Sequence, residues 1–296
     1  MNIKINQLNL IRVTNILKQK IRGNMFYCVT IMVIFGVLLA VDALRLPGIT
    51  DAYQPCGVEA SPNLIHQNPW LVLLRYYRRG SAVDIRCGGT LVGKRHVVTA
   101  AHCVKIRADM YKVRLEEYDL RTKKDCVQGV CSKAKEIDVI DVTIHPAYDG
   151  SSHDIAVLTL GSDAPYTDFI RPICLPSSPV GNATFVTSGW GEIPKTNEYS
   201  NVKKKIGPLR QWNFTDCVNA YKYTDLPHDV ICAGGEDSID TCRGDSGGPL
   251  VQYKNRAELA GVTSKGFVVC GTEGKPGIYT NFLTYVNWVK EIMDKV

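Results

Sequence analysis

The chain has 296 residues, 45% of them apolar and 22% charged, a balance that excludes a disordered polyelectrolyte and suits one large domain or two modest ones. Its formal net charge of +6 is not the mark of a nucleic-acid partner. Five basic residues and one acid lie in residues 1–43, and the remainder carries 30 basic against 28 acidic residues without a long charge block.

The first feature along the chain is a basic leader followed by a nearly uncharged apolar run at 26–41. Sixteen residues fall short of the ~20 that a bilayer span needs. They suit the core of a signal peptide, with small residues at Val41-Asp42-Ala43 for cleavage, and so predict secretion to the extracellular space. Residues 1–43 form this leader; a start at Met25 would give it a conventional length, and an uncleaved membrane anchor is the competing reading. Residues 44–56, with Pro47, Gly48 and Pro55, read as a short stub.

Beyond it, short apolar runs are broken by Gly, Pro, Asn and Asp. Trp70–Tyr77, Gly89–Val92, His96–Ala101, Ile137–Ile144, Ile155–Leu160, Thr184–Ser188, Leu250–Tyr253 and Leu259–Ser264 have strand length and β-branched content, which predicts an all-β sandwich or barrel. One helical pattern, Leu283, Val286, Val289 and Ile292/Met293, closes the chain. Of eleven cysteines, Cys28 belongs to the leader; the ten that remain suit a disulfide framework, and their spacing lacks the Cys-x-x-Cys pairs of a zinc site. No metal or cofactor is assigned.

Three short motifs carry chemistry. Gly244-Asp245-Ser246-Gly247-Gly248-Pro249 sets a serine in a glycine-rich turn, where the Gly244 and Ser246 amides can face a developing oxyanion. A serine hydroxyl needs a base in reach. Thr99-Ala100-Ala101-His102-Cys103 offers one, a histidine at a strand end beside an anchoring cysteine, whereas His66, His96, His145, His153 and His228 read as structural. Asp154, opening the apolar strand Ile155–Leu160, can orient the imidazole and stabilise its charged form.

In this order TAAHC, DIAVL and GDSGGP resemble the trypsin/chymotrypsin family of serine proteases, over about Cys56 to Val296. The resemblance implies a protease domain at 57–296, two packed six-stranded antiparallel β-barrels with a C-terminal helix, and a cleft between them. It implies His102 as general base, Asp154 as its orienter, Ser246 as nucleophile, and the Gly244 and Ser246 amides as the oxyanion hole. It further implies the bridges Cys56–Cys174, Cys87–Cys103, Cys217–Cys232 and Cys242–Cys270, leaving Cys126 and Cys131 to close a small loop. That loop, with DFIRPICLP at 168–176, is most similar to arthropod clip-domain proteases, although the clip domain itself is absent.

Asp240, six residues before Ser246, matches the acid that sets specificity for Arg or Lys. Gly266 and Gly277 match pocket-wall glycines, and Ser264 to Gly266 the strand that pairs with substrate. Lys265 and Arg243 replace neutral or aromatic residues there, which predicts a preference for acids flanking the cleaved bond. Asn182 and Asn213 open glycosylation sequons. Glu117 sits where some relatives bind calcium, but the sequence shows no convincing second carboxylate. The implied partners are protein substrates, an upstream activating protease and serpin-type inhibitors in an immune or developmental cascade.

In one respect the resemblance fails. Active members begin with a freed Ile or Val amine that pairs with the acid before the nucleophile, here Asp245. No Arg or Lys occurs between Cys56 and Arg75, and Ile-Val-Gly-Gly is missing. Either a segment bearing the activation site is missing from this sequence, or the chain is a locked homologue that regulates by binding; an adhesive extracellular protein is the third class. As written, the sequence predicts an Asp245 without an amine partner and a disordered oxyanion hole.

Overall fold

The first sheet is built from strands β1 (Leu71–Arg78), β2 (Ser81–Gly93), β3 (His96–Thr99), β4 (Met110–Leu115), β7 (Lys135–Ile144) and β8 (Ala156–Leu160). In this computed structural model, which describes residues 56–105, 108–181, 183–222 and 226–295, they close a barrel in the order β1-β2-β3-β8-β7-β4. The leader, most of the stub and Asn182 lie outside the described residues. A two-residue loop joins β1 to β2, and its Arg79 and Gly80 both take positive φ, 52° and 77°, the backbone twist a tight hairpin needs. All five residues of β8 are buried.

The second sheet runs β10 (Lys204–Arg210), β9 (Thr184–Gly189), β12 (Pro249–Tyr253), β13 (Ala257–Lys265), β14 (Gly277–Asn281) and β11 (Val230–Ala233). It has the expected six strands and curls as a half-barrel whose ends meet at the Gln211–Ala233 bridge, with the Gly234 amide donating to the Arg210 carbonyl and the Trp212 amide to the Cys232 carbonyl, each at 2.9 Å. Pro208 takes a ladder donor out of β10, whose register against β9 shifts between Ile206 and Leu209. A hairpin of β5 (Asp125–Val127) and β6 (Val130–Ser132) is clasped by Cys126–Cys131. The other four bridges are the expected ones.

Of the helices α1 (Ala101–Val104), α2 (Phe214–Tyr221) and α3 (Phe282–Met293), the sequence announced only the last. Helix α3 buries Phe282, Tyr285, Val289 and Ile292 in the same core as Val98, Val157 and Leu158. Helix α2 buries only Cys217, too little apolar surface to leave a periodic signal, and depends on Asn213 as its cap: the Asn213 side chain accepts from the Asp216 amide. Among the described residues no helix is long and apolar enough to cross a membrane.

Burial along β7 and β8 yields a test of this core. Leu158 is fully buried while Ile140 is 62% exposed. Leu158→Ala should cost about 2–5 kcal/mol in urea unfolding with disulfides intact, and Ile140→Ala no more than about 0.5 kcal/mol.

Candidate active site

Strand β3 is buried along its whole length and delivers the chain into the short helix α1 at the edge of the barrel. There Cys103 is bridged to Cys87, and its carbonyl accepts a 2.7 Å hydrogen bond from the buried Tyr76 hydroxyl. His102 is thereby fixed between an anchored neighbour and a buried strand, with its side chain 35% exposed. Its Nδ1 lies 2.7 Å from Asp154 Oδ2, and its backbone amide donates to Asp154 Oδ1 at 2.9 Å. The Ser264 hydroxyl, from β13 of the other sheet, adds a third donor at 2.6 Å. Thr280 in β14 donates to the Asp154 carbonyl at 2.9 Å. Burial works against the Asp154 charge, but the hydrogen bonds from His102 and Ser264 and the imidazole's field outweigh it and hold the carboxyl below its ordinary value. A carboxylate facing Nδ1 selects the tautomer with its proton there, which leaves Nε2 as the basic nitrogen.

Ser246 stands on a tight loop before β12. The Asp245 amide returns to the Cys242 carbonyl at 3.0 Å, and the Gly248 amide to that of Asp245 at 3.0 Å. Among the described residues the Gly244 and Ser246 amides have no protein acceptor, although the Asp245, Gly247 and Gly248 amides do. The loop is sewn to β2 and to the end of β3. Gly88, next to Cys87, donates to the Ser246 carbonyl at 2.7 Å. Gly247 packs so tightly there that a Cβ would lie 2.3 Å from Thr99 Oγ1 and 2.5 Å from the Gly88 oxygen. With φ at +78°, that position excludes any side chain. Ser246, Arg243, Ser264, Lys265, Gly266 and Phe267 line a cleft of about 280 Å³.

Asp240 lies where the chain passes from the core into the wall of this cleft, and it is 1% exposed. One of its oxygens accepts from the Gly271 amide at 3.1 Å, and the other has no partner. Burial, with the nearby Asp245 charge, pushes its pKa up to about 6. Gly266 borders open space, so a side chain there would enter the cleft rather than the protein. Gly277 does something else: a Cβ would meet the Tyr279 hydroxyl at 2.8 Å, so its bareness makes room for Tyr279.

Asp245, expected to lack an amine partner, has a cation beside it. Lys204 Nζ lies 2.9 Å from Asp245 Oδ2, while the Gly191 amide donates to Oδ1 at 2.7 Å and the Cys242 amide to Oδ2 at 3.0 Å. Lys204 left no signal because it stands in a lysine run, 203–205, that reads as a solvated edge. Its neighbour Lys203 also turns inward, donating to the Gln67 carbonyl at 2.6 Å, and burial lowers its pKa to about 8.

Glu117 is fully buried against Arg114, with Nε 2.8 Å from Oε2. Burial raises it to about 7 against the pull of Arg114. A second carboxylate, Asp125, does stand beside it, but accepts from the Tyr118 and Asp119 amides. Among the described residues, Cys87, His102 and Cys103 come close enough to bracket a cation, but both sulfurs are spent in their disulfide.

A histidine held by a buried carboxylate, together with a serine on a glycine-rich loop at a cleft, makes up the elements of a hydrolase of the serine type. The family model described as Trypsin matches residues 57–289, and the chain belongs to that family. It is 37% identical over 261 residues to CLIP domain-containing serine protease B9 of Anopheles gambiae, spanning 79% of this chain and 64% of that one. It is 37% identical over 289 residues to the Spaetzle-processing enzyme of Drosophila melanogaster, spanning 86% of this chain and 72% of that one. The chain thus spans about two thirds of the length of these relatives. Among solved structures it is similar to neuropsin, a serine protease expressed in the limbic system of mouse brain, with 32% identity and a TM-score of 0.65 over 80% of this chain and 98% of that one.

The pKa of Asp240 makes a prediction about stability. An unfolded aspartate loses its proton near pH ~4, whereas this one keeps it to about 6. Between those values the native state binds more protons, so stability falls as pH rises through the window. Asp240→Asn should lessen that fall, leaving the share due to the likewise raised Glu117, and unfold at a higher temperature than wild type at pH 7; a fall in melting point from pH 4 to pH 7 of the same size in both proteins would refute the assignment.

Proposed function

We propose that the chain is a secreted, trypsin-like serine endopeptidase that cleaves protein substrates after Arg or Lys. The observation that carries this reading is the buried Asp240, with one oxygen unpartnered, which directly precedes Thr241 and Cys242 in the wall of the cleft that holds Ser246, while His102 is clamped by Asp154. A carboxylate buried this way favours a cationic ligand, which would restore its charge and fill its empty acceptor.

The chemistry follows from the donors and acceptors. The Ser246 oxygen attacks the scissile carbonyl carbon, and its proton passes to His102 Nε2. The imidazolium so formed is stabilised by Asp154, which His102 and Ser264 keep ionised. The carbonyl oxygen gathers negative charge, and the Gly244 and Ser246 amides, without internal acceptors, donate to it. Collapse of the intermediate breaks the C–N bond as His102 returns its proton to the leaving amine. Water then hydrolyses the acyl-serine by the same relay.

The relatives supply the biological frame, since the Drosophila enzyme's name makes it a processing protease. We place this chain in an extracellular cascade of immunity or development, with protein substrates, an upstream protease and serpin-type inhibitors as partners. Arg243 and Lys265 line the cleft, which favours substrates with acids flanking the basic residue. A second reading, a locked regulatory homologue, rests on one observation: no basic residue lies between Cys56 and Arg75 for an activating cut.

An organophosphate should label Ser246 in wild type and nothing in Ser246→Ala, and Arg and Lys esters should be turned over in preference to Phe esters. Asp240→Asn should lower kcat/KM for the Arg ester by at least about 1000-fold. A protein that is never labelled, or that prefers Phe esters, would contradict the proposal. Within a panel of Arg peptides, flanking acids should raise kcat/KM by roughly 3–10-fold, and Arg243→Gln should flatten that preference.

A further inference from the structure

We infer that Lys204 takes the place of a freed amino terminus, so that the uncut chain holds its oxyanion loop in working order before any upstream protease acts on it. The inference rests on the peptidase reading above and concerns the control of that same site.

Asp245 sits between Gly244 and Ser246, so the direction of its side chain decides where those two amides point. That direction is locked from every side. The carboxylate is inaccessible to water and accepts from the Gly191 and Cys242 amides. It rests on a floor of two glycines: a Cβ on Gly189 would lie 2.2 Å from Asp245 Oδ1, and one on Gly191 would lie 2.5 Å from its Cγ. Such a burial is costly for a charge unless a cation meets it. Lys204 is that cation, 2.9 Å away, and its own position is fixed twice. Its backbone pairs with Gly189 along β9, and its Nζ donates to the Glu192 carbonyl at 2.8 Å. The ammonium thus ties the acid before the nucleophile to both sides of the Gly189–Glu192 turn.

The entering chain is equally committed elsewhere. The Gly57 amide donates to the Pro172 carbonyl at 2.8 Å, Glu59 accepts from the Asn68 amide at 2.9 Å, and Ile65 is buried. Nothing between Cys56 and Trp70 is basic, and none of these contacts involves Asp245. Were Lys204 a lock on an inactive loop, the Gly244 and Ser246 amides would be expected to turn inward to protein acceptors; they have none among the described residues.

The test uses the full secreted chain, shown by intact mass to be uncut, and reads the rate at which diisopropyl phosphorofluoridate labels Ser246 together with kcat and KM for an Arg ester. Wild type should react uncut. Lys204→Met should slow labelling by about 100-fold or more, the scale of a lost oxyanion donor, and act on kcat more than on KM. Lys204→Arg should keep most of the rate, and ethylammonium should restore part of it to Lys204→Ala, a rescue that a merely structural lysine would not show. Lys204→Gln serves if Lys204→Met does not fold. Labelling of Lys204→Met within about threefold of wild type would overturn the inference and leave the peptidase reading standing. An uncut wild type that is not labelled would overturn the inference alone, and one that stays unlabelled after limited proteolysis as well would overturn the peptidase reading too.

Discussion

A single carboxylate, that of Asp245, has to be buried and charged for the rest of the site to make sense. It lies one residue before Ser246 and one after Gly244, so its three partners, the Lys204 ammonium and the Gly191 and Cys242 amides, hold the turn on which the cleft chemistry stands. A neutral side chain would have no use for that cation, and a bulkier floor than Gly189 and Gly191 would leave the acid no room. The order of causes runs from charge to turn to exposed amides.

The second constraint is the seam between the two sheets. His102 belongs to the barrel and Ser264 to the six-stranded sheet, yet both donate to one carboxylate, Asp154. The bond from Gly88 to the Ser246 carbonyl crosses the same seam, and the Cys87–Cys103 bridge anchors its barrel side. A base, its orienter and a serine loop from separate parts of the chain are thus held by covalent and hydrogen-bonded contacts, without a flexible connection between them. Preorganisation of this kind is what lets electrostatic stabilisation act without reorganisation during reaction.

Much of this was legible in the residues. The motifs around His102, Asp154 and Ser246 named the site, because glycines, a cysteine anchor and strand ends occur at fixed places around such chemistry. The strands of the barrel showed as β-branched runs. Of the barrel, β4 did not, nor did β10 and β14 of the second sheet, since each mixes lysine, glycine or proline with its apolar residues, and β11 is only four residues long; their burial comes from partners far away in sequence. Lys204 was illegible for the same reason: nothing local distinguishes an inward lysine in Lys203-Lys204-Lys205 from a solvated one. Only the pairing of β10 with Gly189 brings its ammonium to Asp245. Likewise Asn213 reads as a sequon, while its place as the cap of α2 depends on a helix too short to show.

A double-mutant cycle between Lys204 and Asp245, followed by denaturant unfolding with all disulfides intact, tests the central claim most directly. If the buried pair holds the loop, Lys204→Met should cost about 3–5 kcal/mol in the wild-type background and much less when Asp245 is already Asn. A coupling energy near zero would show that Lys204 is not the partner on which Asp245 depends, and would contradict the account.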